Sequence, residues 1–225
     1  MRVVIPEQAT VTYLFPMDET RPKRGTRPLE IVTALAARYK FMEVPDLKKP
    51  YQQIVDGPFK FMGGLFDIGG ESHVIKELSI YRDGVSSMAN HSDTAEALLQ
   101  DVLSWAKEQF GLRDVPAYKR VYVSQLIVDF DGEMERIFAP LSALRDLLRP
   151  LYLQHREVDA TLNMKRLSFG VDPLKHIGGQ YIADCYFERR VETPHEQNRY
   201  ITEMPFPTDV CISVLEKLEA LIKEN

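Results

Sequence analysis

Asp129 and Asp131 are the residues of this sequence best placed to do chemistry. The run Val128-Asp129-Phe130-Asp131-Gly132 closes an alternating stretch that begins at Lys119. Two carboxylates two residues apart at a strand end point to one face. So placed, they can hold a hard divalent cation, one serving as nucleophile and the other exchanging a proton. That chemistry is a metal-dependent hydrolysis using Asp129 and Asp131. The same residues also suit a plain strand-to-helix turn, with Asp131 or Glu133 beside the positive end of a helix.

In its spacing the Asp-x-Asp-Gly segment resembles the nucleophile motif of haloacid-dehalogenase-like phosphatases, and that resemblance implies Mg²⁺ at the two carboxylates. The sequence departs from the pattern. Glu133 stands where Thr or Val is expected, no parallel α/β pattern surrounds the segment, and no later acidic pair completes a metal site. Asp129 and Asp131 are therefore expected not to be catalytic.

Other signals point to structure. Gly64, Gly69 and Gly70 share the glycine spacing of a phosphate loop, but Gly70 replaces the lysine and a strand follows, so they read as a bulge and a turn. None of the five histidines pairs with another at helical ligand spacing, and no metal site or cofactor is expected. Cys185 falls in a strand and Cys211 on an apolar helix face, so both read as inert. The densest basic stretch is Arg21, Lys23, Arg24 and Arg27, in a loop with Asp18 and Glu19. It can meet nucleic-acid phosphates, although no aromatic residues interleave to stack on bases. His195 lies in the polar loop from Glu192 to Arg199, which reads as a second candidate contact.

These residues sit on elements that hydrophobic period makes legible. Strands are expected at Val3–Leu14, Phe59–Ile68, Val74–Tyr81, Val85–Met88, Lys119–Asp129, Thr161–Phe169, Tyr181–Val191 and Tyr200–Met204. Helices are expected from Pro28 (apolar at Leu29, Val32, Leu35, Ala36 and Tyr39), from Ser92 as N-cap to Gly111, over Pro140–Leu153, and from Thr208. Asp83-Gly84 predicts a tight hairpin turn.

The order is β-α-β-β-β-α, twice. Pro28-Leu29 matches Pro140-Leu141, Ile68-Gly69-Gly70 matches Ile177-Gly178-Gly179, and Ser92-Asp93 matches Thr208-Asp209. The expectation is an α+β single domain of 225 residues made of two pseudo-symmetric repeats, 1–114 and 115–225. They would form a largely antiparallel sheet with helices on one face. The outline resembles TATA-binding-protein-like and ferredoxin-like repeats in topology, with no shared motif.

Hydrophobic residues are 44% of the chain and charged residues 27%, enough apolar surface for a core without staples. A net charge of -5 opposes a dedicated nucleic-acid or anionic-membrane protein. The opening residues lack a basic region followed by an apolar run, so a cytoplasmic location without a membrane partner is expected. The leading expectation is a non-enzymatic binding or adaptor protein with a protein partner. The alternatives are the hydrolase using Asp129 and Asp131, and a nucleic-acid binder using loop 21–27.

Overall fold

The computed structural model describes residues 1–16, 28–46, 58–114, 118–134, 137, 142–157, 159, 162–163, 165–171 and 182–224. The protein is α+β, and its described residues form one large antiparallel sheet of eight strands with four α-helices. The strands are β1 (Arg2–Leu14), β2 (Phe59–Ile68), β3 (Glu71–Tyr81), β4 (Gly84–Ala89), β5 (Lys119–Asp129), β6 (Arg166–Phe169), β7 (Cys185–Arg189) and β8 (Arg199–Met204). Their order in the sheet is β2-β3-β4-β1-β5-β8-β7-β6. The helices are α1 (Pro28–Arg38), α2 (Ser92–Phe110), α3 (Ser142–Arg156) and α4 (Thr208–Glu224). No helix among the described residues is long and apolar enough to cross a membrane.

The chain divides into two compact units, one of residues 6–124 with 205–208, the other of 1–5, 125–204 and 209–225. In the first, alternation along β1 turns Val11 and Tyr13 inward, into one core with Leu78 of β3 and Val85 and Ala89 of β4. Val32 and Leu35 of α1 join this core, as do Ala95, Leu98, Leu99 and Val102 of α2, each set at helical spacing. Leu29, expected on the buried face of α1, is 62% exposed. Arg38 holds the two helices together. Its guanidinium donates to both carboxylate oxygens of Asp101 at 2.9–3.2 Å and lies 5.4 Å from the centres of the Tyr39 and Trp105 rings.

Two local expectations shift by one residue. The cap of α2 is His91, whose Nδ1 accepts the N–H of Asp93 at 3.2 Å, while Ser92 is already helical and buried. Gly111 ends the helix in the left-handed conformation, φ 62°. The hairpin turn consists of Arg82-Asp83, with Tyr81 paired to Gly84. Gly84 is needed because a Cβ there would collide with the carbonyl oxygen of Tyr13.

The second unit packs Leu126 and Val128 of β5, Phe187 of β7, and Tyr200 and Met204 of β8 against Cys211, Leu215 and Ile222 of α4. Two of its strands are shorter than expected, β6 with four residues and β7 with five. On α4, Val214 and Leu221 are exposed, whereas Glu219 is 5% exposed. The reason is a turn that needs an acceptor: Glu219 Oε1 accepts the N–H groups of Asp131 and Gly132 at 3.2 and 3.0 Å. Helix α3 departs most from expectation. It runs through Pro150 to Arg156, and every one of its described side chains is exposed.

Candidate functional site

Asp129 closes β5 and Asp131 follows in the turn. Asp129 accepts a two-pronged hydrogen bond from Arg199, Nε to Oδ1 at 2.6 Å and Nη2 to Oδ2 at 2.9 Å. Arg2 adds a third donor at 3.2 Å. Asp131 accepts from the α-amino group of Met1 at 2.6 Å and from Lys223 Nζ at 3.2 Å. The hydrogen bonds from Arg199 hold the Asp129 carboxyl below the usual carboxylate range, and the Met1 amino group with Lys223 does the same for Asp131.

The arrangement satisfies two carboxylates with four cationic groups. Each carboxylate is held ionised, as a metal ligand or a nucleophile requires. Each also faces donors that a divalent cation would have to displace, and a guanidinium in a two-pronged pair is a strong competitor.

The turn between the aspartates is bound from a second side. The backbone N–H of Phe130 donates to the Asn198 carbonyl at 3.2 Å. The Asn198 side-chain amide donates to the carbonyls of Phe130, at 3.1 Å, and Gly132. Asn198 adopts φ 48°, a left-handed conformation that asparagine tolerates better than most residues. The polar loop 192–199, expected as a candidate contact, is therefore anchored at its C-terminal end. The backbone of His195 opens a single 3₁₀ turn within it, and Thr193 Oγ1 donates to the Arg190 carbonyl at 2.9 Å.

Arg21, Lys23, Arg24 and Arg27 lie outside the described residues, as do Pro140-Leu141 and Ile177-Gly178-Gly179. Cys211 is buried and Cys185 half-buried, and burial pushes the Cys185 thiol pKa up, away from the reactive thiolate. Gly63, Gly69 and Gly70 have φ of 66°, 60° and 91°, the positive values of bends and turns.

A second candidate lies on α3, and the sequence reading did not single it out. Leu144, Leu147, Leu148 and Leu151 are 54%, 69%, 38% and 48% exposed. At 3.6 residues per turn these four fall within about 100° of arc, and Arg145, Arg149 and Arg156 form a line about 40° wide beside them. The spacing i, i+3, i+4, i+7 was visible in the sequence, but it defines an apolar stripe without saying what covers it. Arg149 donates through Nε and Nη2 to Asp159 at 2.9 and 2.8 Å, an exposed pair.

No known family model matches the sequence, and no curated protein matches it.

Proposed function

We propose that this chain works by binding, as an adaptor without catalysis of its own, and that α3 is the element it docks with. The observation that carries this reading is the leucine stripe of α3, four side chains at least 38% exposed on consecutive turns of one helix. Scattered exposed leucines are ordinary, but a contiguous stripe is the mark of a contact surface. A 15-residue helix is also marginal by itself in water, so α3 gains stability from whatever covers it. The ion pairs of Asp129 and Asp131 support binding over hydrolysis, since both carboxylates already face cationic groups. Two cysteines are too few for a disulfide framework, which suits a reducing compartment such as the cytoplasm.

The fold beneath this element is read as a duplication. The strand order supports it: β2-β3-β4-β1 in one half runs as β6-β7-β8-β5 in the other. A superposition of residues 1–114 on 115–225 in a crystal structure checks this, and should bring Leu99 onto Leu215.

Docking through α3 is tested by photocrosslinking in cells. A benzophenone side chain is placed at position 147 on α3 and, as a control, at exposed position 71 on β3. An adduct with protein or lipid from position 147 and none from 71 is expected. Equal labelling from both, or none from 147, would remove α3 as the docking element.

A further inference from the structure

Resting on the reading of α3 as a docking helix, we infer that the surface it docks to is an anionic lipid headgroup layer. The helix then lies in the plane of the interface, leucines down. Three features of α3 carry this. The first is an apolar stripe, Leu144, Leu147, Leu148 and Leu151, all exposed, on a helix that also exposes Tyr152 between stripe and arginines and Leu153 beyond the arginines. Amphipathic helices of modest overall hydropathy with basic polar faces bind interfaces in that orientation.

The second feature is charge. Residues 142–156 contain Arg145, Arg149 and Arg156 against a single acid, Asp146, in a chain whose net charge is -5. The basic line borders the leucine arc, where side chains of an interfacial helix meet headgroups. The acidic balance of the whole chain does not cancel this, because charges beyond about 8–10 Å are screened at physiological salt. Arg149 is paired with Asp159 and Arg145 lies 3.8 Å from Asp146, both exposed contacts that exchange cheaply for a phosphate.

The third feature is size. Fifteen residues of helix span about 22 Å, short of the roughly 30 Å hydrocarbon core, so α3 can lie on a bilayer but not cross it. Four half-exposed leucines also supply only a small part of the roughly 800 Å² that each partner gives to a stable protein interface. A second copy is disfavoured further. Antiparallel pairing of two α3 helices would set one arginine line against the other, where like charges repel.

The test is co-sedimentation of the full chain with phosphatidylcholine vesicles, pure or containing about 30 mol% phosphatidylglycerol. The wild-type chain should bind the anionic vesicles and not the neutral ones, and raising salt to about 0.5 M should release it. Arg145→Gln/Arg149→Gln should weaken binding by about tenfold or more. Leu147→Glu/Leu151→Glu should abolish it without changing the denaturation midpoint. Absence of wild-type binding, or variants that bind as well as wild type, would overturn the lipid assignment. If a protein crosslink from position 147 persisted in that case, docking through α3 would survive with a protein as its partner. A wild-type dimer in sedimentation equilibrium that the leucine variant dissociates, without vesicle binding, would make the occupant a second copy. A leucine variant that unfolds at much lower denaturant would place α3 in the protein's own core and end both readings.

Discussion

Ser92 and Thr208 exchange two hydrogen bonds of 3.0 Å, the backbone N–H of each donating to the side-chain hydroxyl oxygen of the other. Both residues belong to the first unit and both are buried, at 1% and 0% exposure. Ser124 Oγ lies 3.3 Å from Thr208 Oγ1 and donates to the Phe206 carbonyl at 2.8 Å. Residues paired in sequence as matching helix starts thus satisfy each other's first orphan donors, a task usually left to a local cap. Removing either hydroxyl leaves a buried N–H without its acceptor. Ser92→Ala and Thr208→Ala should each cost about 1–3 kcal/mol. The double variant should cost less than their sum by about 0.5 kcal/mol or more, because the two bonds form one motif. Urea denaturation of the four proteins measures the difference, and strict additivity would mean that the bonds act independently.

The elements with strong internal period were legible. Lys119–Asp129 is both the expected and the observed β5, and the helix from Ser92 to Gly111 follows its apolar positions. What the sequence could not show was pairing over distance. The sequence spoke against a catalytic Asp129 through its motif alone, and could not show that Arg199, 70 residues away, is its partner. Glu219 looked like a surface residue because its charge is visible in sequence, whereas the two N–H groups it caps are not. Helix α3 was placed to within a few residues, yet its period could not reveal that its leucines face outward. Asp83-Gly84 signalled a turn correctly, but the glycine is required by the nearby Tyr13 carbonyl, a tertiary contact.

The Asp129–Arg199 pair should leave its mark on acid stability. Arg199 lowers the folded-state pKa of Asp129 below its unfolded value. The stabilisation is therefore fully present above the unfolded pKa, about 3.9, and is lost as pH falls through the folded value. Asp129→Asn and Arg199→Ala should each flatten the decline of stability below about pH 4. Near neutral pH their double-mutant cycle should give a coupling of about 1 kcal/mol, as for a well-aligned, partly exposed pair. Denaturant midpoints measured across the acid range decide it. An unchanged acid limb in Asp129→Asn would show that the pair contributes nothing net.

Asn198 tests how the polar loop is anchored. Its φ of 48° and its side-chain bonds to the Phe130 and Gly132 carbonyls are separable contributions. Asn198→Gly keeps the backbone conformation easy and removes only the amide donor, at a cost of about 1 kcal/mol. Asn198→Ala loses the donor and adds left-handed strain, so it should cost about 1 kcal/mol more than Asn198→Gly. Chemical denaturation ranks the two. If alanine were no worse than glycine, the turn would not require the left-handed conformation.

Leucines at comparable helical positions should behave in opposite ways according to what they touch. Leu99 of α2 and Leu215 of α4 are both 0% exposed, each in the core of its own unit, whereas Leu147 of α3 is 69% exposed. Truncating a buried leucine removes its transfer free energy and leaves a cavity, so Leu99→Ala and Leu215→Ala should each cost about 2–5 kcal/mol. Leu147→Ala removes side-chain area that is already largely in water and should stay within about 0.5 kcal/mol of wild type. Alanine also has the higher helix propensity, which works slightly in the variant's favour. Equilibrium denaturation of the three variants at matched protein concentration gives the comparison. A large loss at Leu147 that grows smaller on dilution would mean that the wild-type leucine is buried against a second copy. A loss independent of concentration would mean that α3 is packed within the chain. A near-neutral Leu147→Ala beside two costly core truncations is the pattern required of a helix whose apolar face is kept for something outside the fold.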